Sequence, residues 1–159
     1  MRYALILVAA LSAAPVFAQT KSAEAQPADN MQILREKLKG DKKLLVAANM
    51  DLTEAEAKKF WPVYEKYQKE LHKINDKLAM TIAAYAKEYN ADSLTDAKAV
   101  KLLEQSIAVE EAETKLKRKF LPRLAKVLPG RKVARYMQIE NKVRALVKYE
   151  IAGEVPLAP

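Results

Sequence analysis

The fold of this chain is decided by residues 52–89, which read LTEAEAKKFWPVYEKYQKELHKINDKLAMTIAAYAKEY. Apolar side chains recur through this stretch at alternating steps of three and four residues, which is the spacing of one face of an α-helix. They are Phe60, Tyr64, Tyr67, Leu71, Ile74, Leu78, Ile82, Tyr85 and Tyr89. A seam of this length predicts one long helix that packs along another helix.

The start of this helix is marked by Thr53 and Glu56. Thr is a good N-cap, and a Glu three residues later completes a capping box, in which each side chain accepts a hydrogen bond from the other residue's backbone N–H. Pro62 lies inside the apolar seam, where it removes one backbone donor and clashes with the preceding turn. We therefore expect a kink or a short break near Phe60 and Trp61.

Two more helices flank the long one. The first is predicted over residues 31–48, with Gly40 as a point at which it can break; its apolar positions are Ile33, Leu34, Leu38, Leu44, Leu45 and Ala48. The next begins after the N-cap Thr95 and bends at Pro122 near its end. Its apolar positions, which we expect to be buried, are Val100, Leu103, Ile107, Leu116, Phe120, Leu121, Leu124 and Leu128.

A fourth helix follows the stop signal Pro129-Gly130 and begins near Arg131. Its apolar stripe is Val133, Tyr136, Met137, Val143, Leu146 and Val147, and Gly153 and Pro156 are expected to end ordered structure. The whole chain has only three glycines, which favours helices over sheets. The sequence therefore predicts an all-α fold, an elongated antiparallel hairpin of about four helices, two of them long and kinked at Pro62 and Pro122. Such a thin hairpin exposes apolar surface unless it bends around a partner or forms a homodimer.

The first 18 residues have the layout of a secretory signal peptide: a positive start, an apolar run and small residues at Val16 and Ala18. The apolar run is shorter than the about 20 residues that span a bilayer. Cleavage near Ala18/Gln19 predicts a periplasmic protein. The expected divisions are a signal peptide at 1–18, a flexible leader at 19–29, a single helical domain at 30–151 and a C-terminal tail at 152–159.

Charge and chemistry favour binding over catalysis. The net charge of +8 favours acidic proteins or an anionic envelope surface as partners, and an exported protein rarely meets nucleic acid. The chain has no cysteine and one histidine, so nucleophilic catalysis lacks its usual groups, and we expect neither enzyme activity nor a cofactor. His72 and Asp76 have metal-ligand spacing, but zinc needs three or four ligands. We favour an exposed or partly packed histidine.

Candidate partner-binding residues lie in two places. Most aromatic residues share the apolar seam and are expected in the core, whereas Trp61 is out of phase with it and is expected to be exposed. Basic residues flank the turn between the third and fourth helices, where an excess of one charge favours a binding surface over an ordinary solvated face. The candidates there are Lys119, Arg123, Lys126, Arg131, Lys132 and Arg135.

Two segments at helix starts resemble the Leu-Thr-x-x-Gln signature of the Spy/CpxP family of periplasmic stress proteins. They are Leu52-Thr53-Glu54-Ala55-Glu56 and Leu128-Pro129-Gly130-Arg131-Lys132. The Gln position is occupied by Glu56 and Lys132, and Pro129 replaces the second Thr. The residues that match are Leu52, Thr53 and Leu128. The resemblance implies an all-helical, cradle-shaped dimer that acts as an ATP-independent chaperone or modulates envelope-stress sensing, and it transfers helix starts rather than an active site.

These observations predict a chaperone-like protein that holds unfolded or acidic envelope proteins through a basic and apolar surface. Three alternatives stay open. The protein could be an adaptor that docks on a membrane sensor, a protein that associates with anionic lipid or polymer, or a metal-responsive envelope protein.

Overall fold

The computed structural model describes residues 42–159, and in that range the chain forms four α-helices and no strand. They are α1 (Lys42–Met50), α2 (Glu54–Asn90), α3 (Asp96–Ala125) and α4 (Gly130–Glu154). The all-α class predicted from the sequence is confirmed. The predicted signal peptide (1–18), the leader (19–29) and the first part of the first predicted helix lie outside the described residues.

Helix α2 begins with the predicted capping box. The backbone N–H of Glu56 donates to Thr53 Oγ1 at 3.3 Å, and the backbone N–H of Thr53 donates to Glu56 Oε2 at 2.9 Å. The helix then runs for 37 residues, about 55 Å at 1.5 Å per residue.

Neither proline interrupts its helix. Helix α2 continues through Pro62 and α3 continues through Pro122, so the short break predicted near Phe60 and Trp61 is absent. Both prolines lie on exposed faces, where the carbonyl that loses its donor can bond to water. The bends predicted at the two prolines stay predictions.

Helices α2 and α3 form an antiparallel hairpin closed by residues 91–95. Near the turn, Lys98 Nζ donates to Glu88 Oε2 at 2.6 Å. Towards the other end of the hairpin, Lys119 Nζ donates to both carboxylate oxygens of Glu70, at 2.8 and 2.7 Å. The turn contains Asp92 at φ 48°, in the left-handed region that Asp tolerates better than most residues.

Helix α4 lies along this hairpin, parallel to α2 and antiparallel to α3. At its start, Lys132 Nζ lies 2.5 Å from Glu56 Oε2 at the start of α2. Near its end, Lys148 Nζ donates to Glu110 Oε1 of α3 at 2.7 Å. The three long helices therefore form an elongated bundle.

Helix α1 is a fourth element at one end of the bundle. Val46 and Met50 are fully buried there, because their spacing of four residues places both on the face towards the core. The predicted apolar positions Leu44 and Ala48 instead face solvent.

The core lies at the same end, which we call the packed end. Its buried members are Val46, Met50, Phe60, Tyr64, Tyr67, Leu116, Phe120, Leu124, Leu128, Val133 and Tyr136. Aromatic rings meet edge-on inside it, with 5.3 Å between the ring centroids of Tyr67 and Phe120 and 5.2 Å between those of Phe60 and Tyr136. The prediction that the aromatic seam of α2 forms core is confirmed here for Phe60, Tyr64 and Tyr67.

The opposite end, which we call the open end, consists of α2 from residue 78, α3 up to residue 110, and the chain from residue 148 onwards. The prediction that Val100, Leu103 and Ile107 of α3 are buried is wrong, because their side chains are 56%, 60% and 49% exposed. Among residues 42–159 no fourth helix covers this end as α1 covers the other. Leu121 is also exposed, at 52%, because its neighbour Phe120 occupies the inward position.

The C-terminal boundary differs slightly from the prediction. Helix α4 continues through Gly153 to Glu154, three residues beyond the expected limit of 151. A single glycine costs a helix only about 1 kcal/mol, so neighbouring helical residues can carry it. The tail that follows is held at Pro156, whose carbonyl accepts a hydrogen bond of 2.9 Å from the Tyr85 hydroxyl.

Candidate functional site

An apolar groove of about 740 Å³ occupies the open end. Its walls come from all three long helices and from the tail. Leu78, Ile82 and Tyr85 contribute from α2, Leu103 from α3 and Ile151 from α4. A volume of this size lies within the 300–1,000 Å³ range of ligand pockets, roughly speaking. The groove is therefore the main candidate for a binding site in the described part of the chain.

Polar groups line the groove mainly at the end that faces the core, which we call the inner end. Lys148 pairs with Glu110 there, and this hydrogen bond holds the pKa of the Glu110 carboxyl below its usual range. Deeper in, the guanidinium of Arg144 contacts the carboxylate of Glu113, and Arg144 Nη1 donates to Asn75 Oδ1 at 3.0 Å. The inner end thus holds two ion pairs that link α3 to α4.

One donor at the inner end is left over. The Nε–H of Arg144 is buried and has no hydrogen-bond acceptor among residues 42–159. A buried donor without an acceptor costs about 1–3 kcal/mol, more when the group is charged. This arrangement favours any ligand atom or water molecule that supplies an oxygen there.

A polar cluster separates the groove from the aromatic core. Lys42 Nζ of α1 donates to Gln68 Oε1 at 2.9 Å and to Glu140 Oε2 at 2.7 Å. Gln68 Nε2 in turn donates to Glu140 Oε1 at 2.7 Å and to the Tyr136 hydroxyl at 3.2 Å. Burial raises the pKa of Tyr136, so this hydroxyl stays protonated in the neutral range.

The predicted basic surface divides into two groups. Lys119 and Arg123 lie over the ring of Phe120, at 5.8 and 4.8 Å from its centroid, and Lys119 also pairs with Glu70. Lys132 is used internally, because its ammonium binds Glu56 and the carbonyl of Asp51 at 2.6 Å. These contacts stabilise the bundle and leave Lys132 poorly placed to meet a partner.

The second group remains available at the surface. Lys126, Arg131 and Arg135 are exposed, and no ion pair involves them within residues 42–159. They flank the turn from α3 to α4, as the sequence predicted, at the packed end. The basic surface and the groove therefore lie at opposite ends of the molecule.

The two segments that resemble the family signature meet each other. Glu56 and Lys132, which are the fifth residues of the two segments, form an ion pair of 2.5 Å. The hydrogen bond from Lys132, with that from the backbone of Thr53, holds the pKa of Glu56 below its usual range. Leu128 is buried in the core and Leu52 packs against it. The sequence predicted these residues as helix starts but could not predict that the two starts are joined.

Trp61 does not occupy the exposed position that was predicted. It is half-buried beside α1, with its ring 5.2 Å from that of Tyr64 and with Lys43 Nζ 5.3 Å from its centroid. Tyr89 is the exposed aromatic of the α2 seam. The out-of-phase position of Trp61 points it towards α1, which the sequence pattern of α2 alone does not contain.

His72 is 79% exposed, and its Nε2 lies 3.7 Å from Asp76 Oδ1. Within residues 42–159, no group of three or more His, Cys, Asp or Glu side chains is placed to hold a metal ion. The exposure of His72 places its side chain on the surface of α2.

The groove is the feature that the sequence did not reveal. Its walls include Leu78, Leu103 and Ile151, which belong to three separate helices. The signal that could have indicated it is the apolar stripe on the first half of α3, which consists of Val100, Leu103 and Ile107.

In comparisons with known proteins, no family model, no curated protein and no solved structure matches the chain. None of the helices in residues 42–159 combines the length and the apolar character needed to cross a membrane.

Proposed function

We propose that this protein is an exported, periplasmic binding protein that holds unfolded envelope proteins without ATP, in the manner of the Spy/CpxP family that its helix starts resemble. The observation that carries the proposal is the open end, where Val100, Leu103 and Ile107 of α3 are 49–60% exposed beside an apolar groove. Monomeric proteins rarely leave contiguous apolar surface uncovered unless it binds something.

The shallow, apolar shape of this surface favours weak and reversible binding of unfolded client proteins. Client side chains can rest on the exposed stripe of α3 while the client backbone stays hydrated, so that no buried backbone group loses its hydrogen bonds. The net charge of +8 speeds the encounter with acidic clients. Because the contact is shallow, release needs no nucleotide-driven step.

A second candidate function is an adaptor that docks on an acidic sensor domain or an anionic envelope surface. Lys126, Arg131 and Arg135 favour it, because they are exposed together at the packed end. The two functions use opposite ends of the molecule, so variants can separate them.

The experiment measures how well the protein slows the aggregation of a reduced, unfolding test protein. Leu103→Asp places a charge in the exposed stripe, and we expect it to lower protection several-fold, because the client must then desolvate a carboxylate. Leu121→Asp is the matched control, since Leu121 is a similarly exposed leucine of the same helix at the packed end. Equal protection by the wild type and Leu103→Asp would reject the open end as the client site.

The adaptor function predicts a different result. Replacing Lys126, Arg131 and Arg135 together by Gln would leave protection unchanged and abolish capture of a single dominant partner from envelope extract. If this triple variant loses protection but still captures the partner, both assignments of function to the two ends are contradicted.

A further inference from the structure

The interior of the groove has properties that its exposed rim lacks. Between its mouth and its inner end, the walls offer almost only hydrocarbon. Two of the few polar groups along them are already engaged, because the Thr81 hydroxyl donates to the carbonyl of Lys77 and the Tyr85 hydroxyl donates to the carbonyl of Pro156. Ser106 adds one more hydroxyl. A polypeptide backbone inserted here would find few hydrogen-bond partners, which costs several kcal/mol per buried group, roughly. An alkyl chain carries no such groups.

The groove is also the right length for a chain. The α3 residues that line it extend from Ala99, near the turn to α2, to Glu113 at the inner end. Fourteen residues of helix rise by about 21 Å. A long alkyl chain can lie along this distance with its methyl end towards Tyr85 and the tail, where Val155 and Leu157 contribute further apolar wall.

The inner end carries a small excess of positive charge. It is bounded by the groove and by an adjoining cavity of about 50 Å³, and both are lined by Glu113 and Arg144. The cations that line the two spaces are Lys42, Lys117, Arg144 and Lys148, and the carboxylates are Glu110, Glu113 and Glu140. Each carboxylate pairs with one of these cations, so the positive charge in excess belongs to Lys117 of the adjoining cavity, whose Nζ donates to Asn141 Oδ1 at 2.7 Å.

The unused donor described above lies at the same place. The buried Nε–H of Arg144 has no acceptor within the described residues, and Lys148 is half exposed above it. An anionic head group that reached this point would supply the missing acceptor, and its negative charge would offset that of Lys117, which lines the adjoining cavity together with Arg144. Hydrogen bonds between a guanidinium and a carboxylate are among the stronger ones in proteins.

We propose that the groove binds a single-chain anionic amphiphile of the long-chain fatty acid class, with its alkyl chain between α2, α3 and α4 and its carboxylate at Arg144 and Lys148. This ligand goes beyond the proposed chaperone function, which uses the exposed stripe of α3 and needs no small molecule. The chain length matches the apolar walls, and the head group matches the charge and the donor at the inner end.

The test is equilibrium dialysis of the folded protein against labelled palmitate, kept below its micelle concentration, with hexadecanol and hexadecyltrimethylammonium as probes of the same chain length. We expect palmitate to saturate at one molecule per chain and to bind about tenfold more tightly than hexadecanol, because a charge-assisted contact of this kind is worth a factor of that size. The cationic amphiphile should bind most weakly. Equal affinity for palmitate and the cationic probe, or no saturable binding, would overturn the proposal.

Variants locate the site. Ser106→Trp fills the groove from α3, and we expect it to abolish palmitate binding, whereas Leu121→Trp at the packed end should bind like the wild type. Arg144→Gln should remove most of the preference for palmitate over hexadecanol. If that buried substitution prevents folding, Lys148→Gln, at a half-exposed position, should reduce the same preference. Unchanged palmitate binding by Ser106→Trp would contradict the assignment.

A second copy of this chain is the main competing occupant. If two copies close the groove against each other, the amount of palmitate bound per chain falls as the protein concentration rises. We expect binding per chain to be independent of protein concentration, and a decline would overturn the proposal in favour of a dimer interface. Neither outcome depends on the aggregation assay, so failure of this proposal leaves the chaperone proposal intact, and the reverse also holds.

Discussion

The packed end and the open end are built from the same three long helices, yet they differ in what covers them. At the packed end, α1 adds Val46 and Met50 to a core of interlocking aromatic rings. At the open end, α3 presents Leu103 and its neighbours to solvent beside the groove. The apolar stripe of α3 is thus buried along one half of the helix and exposed along the other.

This division has a consequence for local stability. Regions with few buried apolar contacts open with less free energy than the core, and binding surfaces are commonly drawn from them. We therefore expect the packed end to hold most of the free energy of unfolding, and the open end to open locally at a lower free-energy cost. The polar cluster around Glu140 and Lys42 marks the boundary between the two.

We expect the greatest difference in the free energy of unfolding between substitutions of two leucines in α3, one at each end. Leu124→Ala removes a side chain that is fully buried at the packed end, and we expect it to lower the free energy of unfolding by about 2–5 kcal/mol. Leu103→Ala, at the 60% exposed position of the open end, should change it by less than about 0.5 kcal/mol. Urea denaturation of both variants measures the contrast. Similar losses in the two variants would show that the open end is covered in solution.

The next largest effect concerns the contact that ties α1 to the bundle. Lys42→Met leaves the carboxylate of Glu140, which is only 3% exposed, without its cationic partner. We expect a loss of about 2 kcal/mol in the free energy of unfolding, because an unpaired buried charge is costly even when one partner was partly hydrated.

The adjacent lysine provides the control for this substitution. Lys43 pairs with Glu65 at 2.9 Å, and both side chains are half exposed. Lys43→Met should cost about 0–1 kcal/mol, as for other surface ion pairs. If the two lysine variants lose the same stability, the polar cluster does not anchor α1.

The sequence predicted the packed end far better than the open end. Thr53 and Glu56 identified the start of α2 because a capping box is a local signal, and the seam through Phe60, Tyr64 and Tyr67 identified core because its period is local too. The same reasoning was wrong for Val100, Leu103 and Ile107, which are exposed. Periodicity shows which face of a helix is apolar, but it does not show whether another element covers that face.

The candidate site was out of reach for a related reason. Arg144 and Glu113 lie 31 residues apart in sequence (144 − 113) on different helices, and no short-range pattern connects them. Lys132 was assigned to a partner surface because it lies in a basic run, whereas the fold directs it to Glu56. The exposed residues Lys126 and Arg135 needed no such pairing, and their surface position could be predicted from charge alone.

We expect the smallest change in stability from acid, which acts on one ion pair at each end of the molecule. Lys132 lowers the pKa of Glu56 at the packed end, and Lys148 lowers that of Glu110 at the open end. A carboxyl whose pKa is lower in the folded state than in the unfolded state stabilises the fold above the unfolded value. That contribution is lost as the pH falls through the folded value. Stability should therefore be level from about pH 7 to about pH 5 and fall below about pH 4.5, the range of ordinary carboxyl groups.

Two Gln variants assign the acid response to an end. Glu56→Gln should flatten the fall in melting temperature below about pH 4.5 more than Glu110→Gln does, because Glu56 also accepts hydrogen bonds at the N-cap of α2. Thermal unfolding followed by circular dichroism at a series of pH values gives both slopes. An acid slope in Glu56→Gln that equals that of the wild type would show that the ion pair between the two helix starts does not form in solution, and the packed end would then be held by its aromatic core without it.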